Sequence, residues 1–142
     1  MNDKANILIV DDEEVVRLSH LRSLASSGWN AQVAEDGNEA LIAMEEHPYD
    51  VILLDLRMPD LDGMEVLKTI KQRWPDSEVV VITGYPTIDS AKEAVRLGAH
   101  NYLAKPVGPN EVIKATNDAM TQKRWAMRSE RKNPVPESAG MQ

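Results

Sequence analysis

Five residues scattered along this chain have side chains suited to handling a phosphoryl group, and each stands at the end of a short apolar run. Ile7-Leu8-Ile9-Val10 leads into Asp11-Asp12-Glu13, and Val51-Ile52-Leu53-Leu54 leads into Asp55. Val79-Val80-Val81-Ile82 leads into Thr83, and Tyr102-Leu103-Ala104 leads into Lys105-Pro106. Asp11 and Asp12 are adjacent carboxylates, whose mutual repulsion a nearby cation relieves. Mg²⁺ suits them, since it takes oxygen ligands and is commonly held by one or two carboxylates together with a phosphate. Taken alone, the Asp11-Asp12-Glu13-Glu14 cluster is equally suited to the first turn of a helix, where acidic residues meet the positive end of the helix dipole. Asp55 alone reads as a strand-ending turn residue, yet a carboxylate there can also act as a nucleophile that forms an aspartyl phosphate. Thr83 supplies a hydroxyl and Lys105 an ammonium, the groups that stabilise charge on phosphoryl oxygens during transfer.

These residues share an address only if the elements before them do. Short runs rich in Val and Ile, bounded by turn residues, read as buried strands of a parallel sheet. In such a sheet ligands bind beyond the carboxyl ends of the strands, where the strand order reverses. Helical periodicity fills the intervals. Glu14 to Ser26 places Val15, Leu18, Leu21, Leu24 and Ala25 on one side, with Gly28 as its stop. Residues 31–34 form a short second strand, and Asp36-Gly37 leads into a helix carrying Ala40, Leu41 and Met44 that ends by Pro48. Gly63 to Arg73 carries Met64, Val66, Leu67 and Ile70. Pro86 opens a helix through Ile88, Ala91, Ala94 and Val95 that Gly98 stops, and Pro109 opens the last one. Five βα units predict an α/β fold, a doubly wound sheet with helices on both faces.

Composition narrows the classes. The chain is 142 residues long, which suits one domain with a sizeable core. No apolar run reaches the roughly 18 residues of a membrane span, and no signal core follows Met1. The absence of cysteine excludes disulfides, thiolate metal sites and cysteine nucleophiles, and favours the cytoplasm. Residues 1–122 hold 11 Lys/Arg against 21 Asp/Glu, a net of −10, whereas residues 123–142 hold 5 against 2, a net of +3. An acidic domain repels nucleic acid and suits basic partners or cations, so no nucleic acid is expected here. The basic stretch reads as a solvated helix end. After residue 132, Asn133-Pro134-Val135-Pro136 reads as a linker or tail. The domain is therefore expected over 5–122, with a basic helix extension and flexible tail or linker over 123–142.

Other signals fall away. Asp60-Leu61-Asp62-Gly63 looks like part of a calcium loop, but Arg57 and Pro59 occupy ligand positions and the closing Glu is missing. His20, His47 and His100 lack metal-ligand spacing, and surface or half-buried roles are expected for them. Trp29, Trp74 and Trp125 are expected to pack on helices or cover edges. No glycine-rich phosphate loop occurs.

From about Asn6 to Gln122 the chain resembles the receiver domain of two-component response regulators. The likeness rests on Ile7 through Glu13, on Asp50 through Pro59 with Asp62-Gly63, on Thr83-Gly84, and on Gly98-Ala99 through Lys105-Pro106. It implies a flavodoxin-like, chemotaxis-regulator-like fold with strand order 2-1-3-4-5. It further implies that Asp55 accepts a phosphoryl group from the phosphohistidine of a sensor histidine kinase or a histidine phosphotransfer protein. Asp11 and Asp12 would then hold Mg²⁺ together with Asp55 and the backbone carbonyl of Arg57, while Thr83 and Lys105 contact the phosphoryl oxygens. Lys105-Pro106 would be a cis peptide. Tyr102 would be the switch aromatic that turns inward as Thr83 moves, altering the surface of the fourth helix, fifth strand and fifth helix. Arg57 and Tyr85 would tune the lifetime of the aspartyl phosphate, with the bulk of Tyr85 shielding it from water.

Departures from the family pattern are local. The family often carries Phe-Asp after Lys-Pro, where this chain has Val107-Gly108 and no phenylalanine anywhere. Thr83 through Ala91 is similar to receivers of transcriptional activators of the nitrogen-regulation type. A downstream protein target or an effector domain beyond this segment is the expected recipient of the signal, and a phosphorylation-dependent homodimer is a further expected partner. Such a domain consumes its phosphodonor stoichiometrically and is not an enzyme with an external substrate. Two rival readings stand beside it. One is an interaction module that is never phosphorylated. The other is a phosphatase-like hydrolase with an aspartate nucleophile, against which Arg57 occupies the place of its general acid.

Overall fold

The computed structural model describes residues 5–132. Five parallel strands lie in the order β2-β1-β3-β4-β5. The strands are β1 (Asn6–Val10), β2 (Asn30–Ala34), β3 (Val51–Leu54), β4 (Glu78–Thr83) and β5 (Asn101–Ala104). The helices are α1 (Glu14–Ser26), α2 (Gly37–Glu46), α3 (Gly63–Arg73), α4 (Ile88–Arg96) and α5 (Pro109–Lys132). The α/β class, the doubly wound sheet and its strand order are those expected. The fourth helix begins at Ile88 rather than at Pro86, because Thr87 and Ser90 close a capping box that defines its first turn.

Strand geometry explains why the central strands read as unbroken apolar runs. Successive side chains point to opposite faces. Leu8, Val10, Ile52, Leu54, Val79 and Val81 form one core with residues of α2, α3 and α4. Ile7, Ile9, Val51, Leu53, Val80 and Ile82 form the other, with Leu24 of α1 and Val112, Ala115 and Ala119 of α5. Each such side chain is worth about 1.5–3 kcal/mol when fully buried, so the central strands of the sheet are held on both sides. The edge strands β2 and β5 are only partly covered, which is why their sequences are less apolar.

The first helix corrects one expectation. Val15 is 79% and Leu18 45% exposed, while His20, Ser23 and Leu24 are buried. The helix rolls so that His20 and Leu24 meet the sheet, while Val15 and Leu18 face outward. Sequence periodicity misplaced the face because apolar residues occur almost all round this helix. His20 is thus a core residue, contrary to the surface or half-buried role expected for it.

Glycine is required at both helix stops. Gly28 and Gly98 adopt φ of +88° and +103°, in the left-handed region that side chains disfavour. Trp29 packs at the sheet edge and donates from Nε1 to Asn117 Oδ1 on α5 at 3.1 Å. Trp74 packs against the core, whereas Trp125 is 60% exposed. Helix α5 continues without a break through residue 123, where Lys123 Nζ reaches Asp50 Oδ1 at 2.6 Å. The expected tail over 133–142 lies outside the described residues.

Candidate functional site

The order β2-β1-β3 reverses the direction of chain progress between β1 and β3, so the connections leaving those strands diverge and open a crevice. The register pairs Val10 with Leu54 and Leu54 with Val81, which brings the strand ends level. Asp11 and Asp55 follow directly, Thr83 closes β4, and Lys105 follows β5. The residues expected to share an address do share it.

Burial is strong for groups of this polarity. Asp11 is 3%, Asp55 4% and Thr83 1% exposed, while Asp12 is exposed. One carboxylate oxygen from each of Asp11, Asp12 and Asp55 lies within 4.8 Å of the others. Lys105 Nζ stands 2.9 Å from Asp11 Oδ2 and 3.5 Å from Asp55 Oδ2, and also 3.5 Å from Glu13 Oε1. Asp55 Oδ1 accepts the Arg57 N–H at 3.2 Å, and Asp11 Oδ1 accepts the Glu13 N–H at 2.9 Å. The Thr83 hydroxyl oxygen accepts the Tyr85 N–H at 3.1 Å. The Lys105-Pro106 peptide bond is cis.

The electrostatics follow from this geometry. Burial and then the neighbouring Asp11 push the Asp55 carboxyl above its ordinary range, against the opposing pull of the Arg57 N–H and Lys105. Burial alone would lower the Lys105 ammonium, yet Asp11, Asp55 and Glu13 outweigh it and raise its pKa. Lys105 therefore stays a cation, with more carboxylate around it than one ammonium neutralises. Three oxygen donors gathered around a charge deficit fit a hard divalent cation such as Mg²⁺.

A cavity of about 760 Å³ opens over Asp55, bordered by Asp12, Arg57, Pro59, Tyr85 and Lys105. Across its mouth the Arg57 guanidinium stacks on the Tyr85 ring, 4.0 Å from the centroid, so the two residues bridge the lips formed by the β3–α3 and β4–α4 connections. Tyr102 stands away from this cluster, partly buried on β5. Its hydroxyl hydrogen-bonds the Ser90 hydroxyl and accepts the Thr87 N–H at 3.3 Å.

Three features of the site escaped sequence reasoning. Glu13 shares Lys105 with Asp11, although Glu13 carried no assigned role. His20 lies behind the cluster, lining a small void with Asp11 and Asp55, where burial lowers its pKa. Ser90 and Thr87 tie Tyr102 to the start of α4. Only the last had a local signal, the Thr-x-x-Ser pattern of a helix start; the others depend on how α1 rolls and where β5 ends.

Comparison with known proteins agrees with this geometry. The family model for the response regulator receiver domain matches residues 7–117. The chain is 35% identical over 121 residues to the DNA-binding transcriptional regulator NtrC of Proteus hauseri, covering 85% of this chain and 26% of that protein. It is 36% identical over 110 residues to a putative response regulator NtrX-like protein of Rickettsia felis, covering 76% and 23%. This chain thus spans about a quarter of the length of those curated relatives. Among solved structures, NtrX from Brucella abortus superposes with a TM-score of 0.85 at 29% identity, over 90% of this chain and 29% of that one. A CheY-like receiver domain protein from Methanospirillum hungatei JF-1 superposes with a TM-score of 0.84 at 25% identity, over 87% and 99%. Matched over most of its length by family model, relatives and fold alike, the chain belongs to the response regulator receiver domain family.

Proposed function

We propose that this domain is a phosphorylation switch in which Asp55 takes a phosphoryl group from the phosphohistidine of a sensor histidine kinase or a histidine phosphotransfer protein. One observation carries the reading: a buried carboxylate at a strand end, gathered with two further carboxylates and paired with a charged lysine beneath an open cavity. An Asp55 oxygen attacks phosphorus, a P–O bond forms, and the donor's P–N bond breaks with its electron pair leaving on the imidazole. Lys105 and the Thr83 hydroxyl stabilise charge on the transferring oxygens. The carboxylates of Asp11, Asp12 and Asp55 and the backbone carbonyl of Arg57 would hold Mg²⁺. When bound, that ion offsets repulsion between the acidic cluster and the incoming phosphoryl group.

Arg57 and Tyr85, stacked across the mouth, restrict water and so set the lifetime of the aspartyl phosphate. Tyr102 is the switch residue. Its hydroxyl rests on Ser90 and Thr87, and its inward turn follows the movement of Thr83 toward the phosphoryl group, biasing the surface of α4, β5 and α5. That surface addresses a downstream protein, an effector domain or a second copy of this chain. The receiver domain is assigned to residues 5–122, with a basic helix extension and a tail or linker over 123–142. It works in the cytoplasm, consumes its phosphodonor stoichiometrically, and binds neither nucleic acid nor membrane through this segment. No helix among the described residues is long and apolar enough to cross a membrane.

The test is intact mass after incubation with acetyl phosphate and Mg²⁺, beside Asp55→Asn and a chelator control. One added phosphoryl group, absent in both controls, is expected. No addition with acetyl phosphate or with a purified histidine kinase, on folded protein, favours the unphosphorylated interaction module instead.

A further inference from the structure

The connection from Leu56 to Asp62 carries Arg57, and it is secured at both ends. At its far end Gly63 packs so closely that a Cβ there would meet Leu56 Cα at 2.4 Å and Asp55 O at 2.8 Å. The Gly63 N–H donates to Leu56 O at 3.1 Å, and Asp62 caps α3 by accepting the Met64 N–H at 3.1 Å. At the near end the Asp55 carboxylate accepts the Arg57 N–H at 3.2 Å.

The middle of the connection is held from outside. Asp60 Oδ1 accepts the Gly37 N–H at 3.1 Å and Oδ2 accepts the Asn38 N–H at 2.8 Å, so one carboxylate spans the first two amides of α2. These are helix-terminal donors without an intrahelical partner, at the end of the helix where the dipole favours an anion. Slight desolvation pushes the Asp60 carboxyl up, but the N–H groups of Asn38 and Gly37, with those of Leu61 and Asp60 itself, outweigh it and lower its pKa. Helix α2 already has a local cap, since Asp36 Oδ1 accepts the Glu39 N–H at 2.8 Å. Packing reinforces the join: a Cβ on Gly37 would stand 2.8 Å from Val66 Cγ2 and 3.0 Å from Leu61 Cβ. The start of α2, the connection and the start of α3 therefore form one packed unit. Arg57 and Pro59 of that connection border the cavity, and Asp60 follows them in the chain.

We propose that Asp60 is a positioning residue for the divalent cation: by clamping the β3–α3 connection onto the first turn of α2, it fixes the backbone that presents the Arg57 carbonyl. The inference rests on the reading of that carbonyl as a ligand. Linkage then runs both ways. A cation that draws on the fixed connection also steadies the α2 amides that Asp60 holds.

Mg²⁺ binding to the full chain, measured by calorimetry for wild type, Asp60→Ala, Asp60→Asn and Asp36→Ala, tests this alongside thermal unfolding of each. Asp60→Ala is expected to weaken Mg²⁺ about tenfold, the lower end of what groups that orient metal ligands contribute. Asp60→Asn, which keeps one acceptor oxygen, should fall between. Asp36→Ala removes the other α2 cap and should lower the melting temperature while leaving Mg²⁺ affinity within about twofold of wild type, since its single bond lies outside the connection. In wild type, Mg²⁺ should slow amide exchange at Gly37 and Asn38, and this protection should vanish in Asp60→Ala and shrink in Asp60→Asn. Wild-type affinity in both Asp60 variants, or equal weakening in Asp36→Ala, overturns the proposal and leaves the cation site standing. A wild-type chain that binds no Mg²⁺ overturns the cation site and the proposal together.

Discussion

Replacing Asp55 by Asn should stabilise the metal-free domain even as it abolishes phosphorylation. The change is nearly isosteric and keeps an acceptor for the Arg57 N–H, so its effect is mostly that of removing one buried charge. At an effective dielectric of about 20, the attraction between Lys105 and Asp55 at 3.5 Å amounts to roughly 5 kcal/mol. Repulsion from Asp11, within 4.8 Å, is at least roughly 3.5 kcal/mol, and that from exposed Asp12 is about half as much after solvent screening. These pairwise contributions nearly cancel. Desolvation of the carboxylate remains, several kcal/mol for a buried ion, offset in part by a charge-assisted bond from Arg57 worth about 1.5–3 kcal/mol. The balance favours Asn by about 1–2 kcal/mol, or a melting temperature higher by roughly 3–6 °C in a domain of this size.

The pH dependence has a definite sign. Burial raises the folded-state pKa of Asp55 above its unfolded value, so ionised Asp55 disfavours the fold at neutral pH. That penalty is full above the folded pKa. It fades as pH falls through the folded pKa toward the unfolded value near 3.9, because the wild-type carboxyl then protonates. The gap between Asp55→Asn and wild type should therefore be widest at pH 7–8 with chelator present, and should narrow in acid. Mg²⁺ should narrow it too, since ligand at about a hundred times its Kd adds about 2.7 kcal/mol to the form that binds it best. Thermal unfolding by circular dichroism across pH, with chelator or Mg²⁺, measures all three. An Asn variant no more stable than wild type at pH 7.5 in chelator, or a gap indifferent to pH, refutes the electrostatic reasoning.

Tyr85→Ala removes the ring on which Arg57 stacks and should shorten the phosphoryl lifetime severalfold, as read by loss of phosphoprotein mass over time; an unchanged lifetime rejects the shielding role. Gly63→Ala places a methyl 2.4 Å from Leu56 Cα, and the enforced backbone shift should cost at least about 2 kcal/mol in urea unfolding and depress phosphorylation as well. Lys123→Ala leaves the partly buried Asp50 carboxylate with the Asn6 N–H as its remaining described partner, and about 1–2 kcal/mol of stability should go with it. A chain ending at residue 122 should melt as low as Lys123→Ala, and equal melting of all three chains would show that the helix extension bears no load.

The amino-acid sequence by itself determined the fold class and which residues end each strand. Val- and Ile-rich runs of strand length, separated by helical periods and stopped by Gly28 and Gly98, admit little besides a parallel sheet. Once the sheet is parallel, Asp11, Asp55, Thr83 and Lys105 must emerge at one edge, because every strand carries its carboxyl end there. That is a local consequence of strand direction. What depends on rigid-body placement was settled only by the tertiary structure. Helix α1 carries apolar residues on several sides, so packing against β1 and α5 chose His20 and Leu24 over Val15 and Leu18. The stacking of Arg57 on Tyr85, the rest of Tyr102 on Ser90 and the reach of Asp60 to α2 join segments far apart in the chain. Their existence depends on loop shapes that no periodicity records. The helix extension past residue 122 was expected, but its anchor was not: Lys123 reaches Asp50, at the opposite end of the sheet from the cluster. Local patterns bring the reactive groups to one edge; packing between elements decides what holds them there.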